Sequence, residues 1–199
     1  MKDDAKAERH SRIAAAAYEV IEEKGYLGTS MLAIARRAKA SNETLYNWYG
    51  DKAGLFRALI DDNAEIVRER IVASLEEGDD LYSALAAFGP VLLGMLLGKR
   101  AVALNRAAAA DPSGELGGAI ARGGRDAVAP LLVGLFARHG TGALRTAEEA
   151  AGTYIALLVA DRQIRRVIGA MPEPTAEQCA EWSTSALATL KILMAGSPS

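Results

Sequence analysis

The stretch Ser41-Asn-Glu-Thr-Leu-Tyr-Asn-Trp-Tyr-Gly-Asp-Lys52 decides how the rest of the chain is interpreted. Ser41 is a favourable helix N-cap, because its hydroxyl can accept the backbone N–H of Thr44, and a glycine ends the helix after about two turns. Leu45 and Tyr49 share one helical face, whereas polar and aromatic side chains occupy the other. So short a helix requires a scaffold behind it, and its polar face suits contacts with nucleic acid.

The scaffold is predicted immediately upstream. Thr29 or Ser30 can cap a helix that carries an apolar stripe and runs to Ala38, and residues 39–41 then form a turn. Two short helices joined by about three residues are typical of a helix-turn-helix, whose second helix enters the DNA major groove. We therefore place a helix-turn-helix at about residues 29–49.

The spacing of side chains in this segment resembles the amino-terminal signature of the tetracycline-repressor (TetR/AcrR) family of transcriptional regulators. The residues that carry the resemblance are Ile34, Ala35, Ala38, Ser41, Thr44, Leu45, Tyr46, Tyr49, Lys52, Leu55 and Phe56. Beyond this first part, the chain is similar to the family only in its length and helical pattern. Lys39 departs from the signature where the family usually has a turn glycine, and Trp48 where histidine or tyrosine is common. If the turn requires φ > 0, a side chain at residue 39 costs ~1 kcal/mol.

The resemblance implies an all-α protein with two domains. Residues 1–57 would form a three-helix DNA-binding domain, and residues 58–199 a helical ligand-binding and dimerisation bundle. The residue pattern agrees with this fold class, since no stretch alternates for long with the period of two that strands show. A buried stripe marks a first helix that we expect to end at Lys24-Gly25, and later breaks are expected at residues 98–99, 111–114, 139–142 and 171–174.

The resemblance also implies roles for individual side chains in the DNA-binding domain. Phosphate contacts are expected from Thr44, Tyr46, Trp48 and Lys52, and base contacts from Asn42, Glu43 and Asn47, with Ser41 as the cap. Thr29 is expected to bond a phosphate through its backbone N–H and hydroxyl, because helix N-termini favour anions. Arg36, Arg37 and Lys39 are further candidates. The alternative for all these residues is an ordinary solvated helix face.

Two further sets of candidates follow from the family architecture. A ligand cavity is expected to be lined by Phe88, Leu92, Met95, Leu104, Phe136 and Tyr154. The last two segments, about 144–169 and 175–195, are apolar on more than one side and are expected to form a dimer interface through Leu158, Trp182, Leu187 and Leu190. Ordinary core packing is the alternative explanation for both sets.

Composition excludes several other classes of protein. The chain has 199 residues, of which 50% are hydrophobic and 24% charged, and a net charge of −2, which is typical of a soluble globular protein. Its apolar runs are about half as long as a membrane span, so we expect no membrane association and a cytoplasmic location. The single Cys179 cannot form an intramolecular disulfide, and a buried structural thiol is expected. His10 and His139 have no carboxylate or cysteine at ligand spacing, so no metal, cofactor or catalytic pair is expected.

The leading hypothesis is a homodimeric repressor that a small, mostly apolar effector releases from a palindromic double-stranded DNA operator. One alternative is a helical DNA-binding protein without an inducer, acting as an architectural or partner-regulated factor. Another is a helical domain that retains the motif as scaffold and either sequesters a ligand or acts as an enzyme. Catalysis is disfavoured, because no paired acid, base, nucleophile or metal-ligand pattern is present.

Overall fold

The computed structural model describes residues 2–77 and 80–196. Within these ranges the chain is helical and contains no strand, so the predicted all-α fold class is confirmed. The helices are α1 (Lys2–Gly28), α2 (Met31–Arg37), α3 (Asn42–Tyr49), α4 (Lys52–Glu77), α5 (Leu81–Leu97), α6 (Lys99–Ala109), α7 (Glu115–Ile120), α8 (Asp126–His139), α9 (Ala147–Val159), α10 (Arg162–Val167) and α11 (Ala176–Ala195), with one π-helical turn (Ala121–Arg125) before α8.

Side-chain caps set the starts of the helices that matter most for the site. The Ser30 hydroxyl accepts the backbone N–H of Ala33 at the start of α2, and the Ser41 hydroxyl accepts that of Thr44 at the start of α3. Each such cap contributes about 1 kcal/mol, since it satisfies a backbone donor that the helix itself leaves unpaired. Of the two predicted caps for α2, the structure therefore uses Ser30.

The first helix continues past the point where the sequence predicts its end. Gly25 has φ 66° and ψ 173°, so it forms a kink inside α1, and the helix resumes as far as Gly28. The predicted break is correct in position, but it bends the helix without ending it. The apolar stripe that includes Ile13, Ala17 and Val20 is buried, as the sequence indicates.

The chain divides into two compact units. The first contains the described residues up to Asp62 together with Ala103–Gly123, and the second contains Asn63–Val102 and the described residues from Gly124 onward. This division differs from a boundary after residue 57, because α7 and most of α6 pack into the first unit. The buried side chains that they contribute there are Leu104, Ala107, Leu116 and Ala119.

The physical reason for this division lies in α4. Its apolar stripe extends beyond residue 57 through Leu59 and Ile60, and these side chains are buried in the same core as the residues of α6 and α7. The approach is close at Gly123, where an added Cβ would lie 2.8 Å from Cγ2 of Ile60. The boundary at residue 57 remains a prediction about the functional domains.

The core of the second unit is formed by α5, α8, α9 and α11. Its buried side chains include Leu85, Phe88, Leu93, Phe136 and Tyr154, and Tyr154 is fully enclosed. Pro90 lies inside α5, where proline removes one backbone donor from the helix. The Tyr154 hydroxyl donates a 2.8 Å hydrogen bond to the Leu85 carbonyl, five residues before this proline.

No single described helix combines the length and the apolarity that crossing a membrane requires. The helices α5 and α6 meet those two criteria only as a pair, and the pair is bent by 51°.

Candidate nucleic-acid interface

The turn between α2 and α3 is built on a left-handed residue. Lys39 has φ 52°, and the backbone N–H of Ala40 donates a 3.0 Å hydrogen bond to the Ala35 carbonyl, which closes the turn. The turn therefore does have a positive φ, at a residue that carries a side chain. Leu45 is completely buried in the core of the first unit and fixes the inner face of α3.

The outer face of α3 presents three of the side chains that the sequence assigns to DNA. Glu43, Tyr46 and Asn47 are exposed, and Tyr46 exposes 48% of its surface although it is a large aromatic residue. Arg36 and Lys39 are exposed on α2 and its turn. A phenol, an amide, a carboxylate and two cations therefore stand on or beside one two-turn helix, where they can meet phosphates and base edges.

Three other candidates on α3 are half-buried. Thr44 shares a 2.8 Å hydrogen bond between its hydroxyl and that of Ser41, so its side chain supports the cap of the helix. The side-chain oxygen of Asn42 is enclosed without a hydrogen-bond partner in the structure. Trp48 packs against the core of the first unit, with the guanidinium of Arg9 5.9 Å from its ring centroid. Arg9 was not predictable from the helix-turn-helix motif, which does not include the first helix.

Lys52 holds the turn between α1 and α2 together. Its ammonium donates to the backbone carbonyls of Tyr26 (3.1 Å) and Thr29 (3.2 Å) and lies 4.1 Å from the ring centroid of Tyr26. An ammonium group has three N–H donors, so these two bonds leave one for a phosphate. Burial, followed by the charges of nearby carboxylates, raises the pKa of the Tyr26 phenol.

One expected phosphate contact, that of Thr29, is corrected by the structure, and one candidate cation, Arg37, already has carboxylate partners. Thr29 is buried, its hydroxyl donates to the Gly25 carbonyl (2.7 Å), and its backbone N–H donates to the Tyr26 carbonyl (3.2 Å). Both donors assigned to a phosphate are therefore already engaged inside the protein. Arg37 likewise forms 2.8 Å ion pairs with Glu19 and Glu23 of α1, and these hydrogen bonds hold its pKa above the usual range.

His10, on α1, contacts residues of both α3 and α4. The hydroxyl of Tyr49 is 2.8 Å from its Nδ1, and Oδ2 of Asp62 is 2.7 Å from its Nε2. Burial, helped by the charge of Asp62, raises the pKa of Tyr49 to about 12. Sequence spacing did not predict this pairing, because Asp62 lies 52 residues from His10.

The candidate ligand-pocket residues lie in packed interiors. Phe88, Leu92, Phe136 and Tyr154 are buried in the core of the second unit, and Met95 lies partly buried against it. Leu104 belongs to the core of the first unit, so its assignment to the same cavity is wrong. The structure has an open cavity of about 430 Å³ elsewhere, and none of the six candidates lines it; its lining residues are Asp80, Leu81, Tyr82, His139, Gly140, Gly142, Lys191, Met194 and Ala195.

The candidate interface residues also require correction. Leu158, Leu187 and Leu190 are buried within the core of the second unit, so they are internal core residues of the single chain. Trp182 is half-buried, with the guanidinium of Arg162 4.6 Å from its ring centroid. The large apolar side chains exposed in this region are Ile164, Ile168, Ile192 and Leu193.

Other chemistry that the sequence raises is accounted for within the described residues. Cys179 is buried as predicted, and desolvation raises the pKa of its thiol. Among the residues that the structure describes, no group of three or more His, Cys, Asp or Glu side chains could hold a metal ion.

The positive-φ turn, the buried Leu45 and the exposed polar face of α3 together define a helix-turn-helix DNA-binding domain. Residues 13–59 match the sequence profile of bacterial regulatory proteins of the tetR family. This match covers about a quarter of the chain, and it confirms the predicted resemblance of the helix-turn-helix segment to that family of transcriptional regulators.

One curated protein is similar over the helix-turn-helix segment, and several solved structures share the fold over most of the chain. An uncharacterized HTH-type transcriptional regulator of Bacillus subtilis (strain 168), YdeS, is 41% identical over 46 residues, and this match spans 23% of each of the two proteins. A TetR-family regulator from Mesorhizobium loti MAFF303099 shares the fold over 92% of this chain and 95% of its own (TM-score 0.74, 22% identity). A TetR transcriptional regulator from Agrobacterium tumefaciens matches over 93% of both chains, with a TM-score of 0.70 and 26% sequence identity. FadR from Bacillus subtilis, whose structure was solved in complex with stearoyl-CoA, matches 90% of this chain and 96% of its own, with a TM-score of 0.71 and 18% sequence identity.

Proposed function

We propose that this protein is a homodimeric repressor that binds a palindromic operator through α3 and is released by a small, mostly apolar effector. The observation that carries the DNA-binding part is the exposed face of α3, where Tyr46 stands 48% exposed beside Glu43 and Asn47. A buried Leu45 on the opposite face holds this short helix in place. Two such helices in a dimer would enter successive major grooves, so the operator would be palindromic.

The exposed side chains fall into two chemical groups, one suited to contacts with phosphates and one suited to contacts with bases. The Tyr46 hydroxyl is a donor suited to phosphate oxygens, and the exposed cations Arg36, Lys39 and Arg9 of the first unit are further candidates for phosphate contact. The Asn47 amide can pair with an adenine edge. Glu43 accepts hydrogen bonds only, so it repels phosphates and selects for a cytosine amino group.

A binding selection from randomised DNA duplexes tests these roles. Tyr46→Phe is expected to weaken binding to all sequences, because a phosphate contact carries no sequence information. Asn47→Ala is expected to change the preference at one or two base pairs by ~1–3 kcal/mol. Glu69→Ala, an exposed change on α4, is the control and should leave the preference unaltered. Unchanged preference after joint substitution of Asn42, Glu43 and Asn47 would remove α3 from base reading.

The dimer part of the proposal rests on the outer faces of α9 and α11. Gly152 and Ala156 are exposed on α9 with a spacing of four residues, and Ser185, Ala188 and Ile192 lie on one exposed stripe of α11. Small side chains beside the 71% exposed Ile192 would let a second copy approach closely.

Light scattering and operator binding test this surface. Ala188→Glu is expected to shift the protein towards monomer and to weaken operator binding, because it places a charge in the apolar contact. Ala137→Glu, an equally small exposed residue on α8, is the matched control. If Ala188→Glu retains the parent's mass in solution and its affinity for DNA, the interface lies on another surface.

The effector part is supported by the chemistry of the second unit and by the fold. Its core residues on α5, α8, α9 and α11 are apolar, and FadR, with the same fold, has been solved with stearoyl-CoA. An alternative, a DNA-binding protein without an inducer, is favoured by one observation. Phe88, Leu92, Phe136 and Tyr154 fill the core of this unit with their own side chains.

Titration with and without DNA separates the two accounts. Stearoyl-CoA and a panel of apolar compounds would be titrated into the protein alone and into its complex with the selected duplex. An inducer must bind the DNA complex more weakly, by the factor by which it weakens DNA binding. To reverse a 99:1 population, it must prefer the released state by ~5.5 kcal/mol. Equal affinity in both titrations for every compound bound would favour the protein without an inducer.

A further inference from the structure

Three side chains from three helices form a continuous hydrogen-bonded chain in the first unit. The hydroxyl of Tyr49 on α3 lies 2.8 Å from Nδ1 of His10 on α1, and Nε2 of His10 lies 2.7 Å from Oδ2 of Asp62 on α4. The rings of Tyr49 and His10 have centroids 5.9 Å apart and are tilted by 42°. We call these residues the Tyr49–His10–Asp62 chain.

The chemistry of the three groups fixes the direction of the bonds. An ionised carboxylate only accepts, so Nε2 of His10 carries a proton and donates to Asp62. In a neutral imidazole Nδ1 is then an acceptor, and the Tyr49 hydroxyl donates to it. In an imidazolium Nδ1 donates to the Tyr49 oxygen instead. Both hydrogen bonds can therefore form with either protonation state of the imidazole.

The Tyr49–His10–Asp62 chain contacts the carboxyl end of α3, which has no side-chain cap. The start of α3 is fixed by the Ser41 cap, and its middle is fixed by the buried Leu45. Tyr49 is its last residue, and Gly50, with φ 77°, turns the backbone away immediately afterwards. The Tyr49 hydroxyl is thus the polar anchor of the carboxyl end of α3.

Asp62 occupies a particular place on α4. It is the last residue of the first unit on that helix, and α4 continues from Asn63 into the second unit. The side chains of His10 and Asp62 are 31% and 50% exposed, so the Tyr49–His10–Asp62 chain lies partly at the surface of the first unit. Hydrogen bonds between such exposed groups contribute little to overall stability, because solvent competes for their partners.

We propose that His10 is a positioning residue for DNA recognition. Together with Asp62 it holds Tyr49, and thereby sets the rotation of α3 that presents Tyr46 and Asn47 to the groove. This inference rests on the proposed use of α3 to read DNA. A misplacement of a short reading helix affects base contacts, which need exact geometry, more than it affects contacts with phosphates.

Sequence discrimination by single and double variants tests the role. The affinities of Tyr49→Phe, His10→Gln and the double variant would be measured for a duplex that the parent selects from randomised DNA, and for an unrelated duplex of equal length. Each single change is expected to lower the ratio of the two affinities by ~3- to 10-fold. The double variant is expected to lose no more than the larger single loss, because both residues act through one chain.

Substitutions at Asp62 provide a rescue test. Asp62→Asn keeps an oxygen that can accept from Nε2 of His10, so the affinity ratio should remain near that of the parent, whereas Asp62→Ala should lower it. Asp61→Ala removes a neighbouring exposed carboxylate and is the matched control for charge. Urea unfolding of each variant, followed in parallel, shows which losses arise from unfolded protein.

Several outcomes would overturn the inference. These are additive losses in the double variant, equal losses on both duplexes, or lower stability with an unchanged ratio, since a packing role alone predicts each of them. If Tyr46→Phe weakens binding while the His10 and Tyr49 variants keep the parent's ratio, only this inference fails. If the parent selects no sequence at all, the proposed function fails, and this inference fails with it.

Discussion

Replacing Lys39 by glycine should stabilise the first unit. Lys39 has φ 52°, and a residue with a side chain pays roughly 1–2 kcal/mol for the left-handed conformation. Glycine avoids that cost but loses more conformational freedom on folding, which offsets about 0.5–1 kcal/mol. The net gain should be ~0.5–1 kcal/mol, or an increase of ~2–8 °C in the melting temperature of a unit of this size.

The assay uses one of the two tryptophans as a local reporter. In a Trp182→Phe background, Trp48 is the only indole, and it packs against the core of the first unit. Urea unfolding followed by its fluorescence therefore reports on that unit. Lys39→Ala controls for the lost charge, because alanine removes the ammonium and keeps the strain. Ala40→Gly controls for added flexibility, because residue 40 has a negative φ, and it should destabilise by about 0.5–1 kcal/mol.

The urea midpoints of these variants show whether glycine relieves strain at residue 39. If Lys39→Gly unfolds at the same urea concentration as Lys39→Ala, or at a lower one, the left-handed turn stores no strain that glycine relieves. The motif's preference for glycine at this position would then need a reason outside the backbone of the turn.

Three further outcomes are expected in the second unit. Ala160→Gly should stabilise it by ~1 kcal/mol, because φ 45° with ψ −130° is a conformation close to one that only glycine adopts readily; an unaltered urea midpoint of Trp182 fluorescence would contradict this. Tyr154→Phe should cost ~0.5–1.5 kcal/mol in the same assay, since it removes a buried hydrogen bond to the Leu85 carbonyl. Cys179 should react with a thiol reagent only after unfolding, because burial raises its pKa and blocks access, so rapid labelling of the native protein would refute its placement.

Local sequence signals predicted the helix-turn-helix in detail. A cap such as Ser41, a buried position such as Leu45 and a turn at Lys39 depend on residues three to five positions apart, and the structure has all three. The exposed face with Tyr46 followed from the same short-range geometry. These features were predictable because each depends only on residues that are close together in the sequence.

Contacts between distant parts of the chain were not predictable in this way. The partners of His10 lie 39 and 52 residues away, and the carbonyls that Lys52 binds lie 26 and 23 residues before it. Apolar periodicity shows that Leu187 and Leu190 are buried, but it does not distinguish the interior of one chain from a contact between two. That distinction requires the packing of α5 and α9 around α11.

The discontinuous first unit has a consequence for how this protein can be recombined with its relatives. The sequence profile of the family ends at residue 59, yet Leu104 and Leu116, far beyond that point, complete the core beneath Leu59 and Ile60. A chimaera that joins residues 1–62 to the carboxy-terminal part of another regulator would inherit the reading helix and lose part of the hydrophobic support of α4. Exchange of DNA specificity should therefore succeed only when α6 and α7 are transferred together with residues 1–62. The unit that must be transferred consists of two separate segments of the sequence.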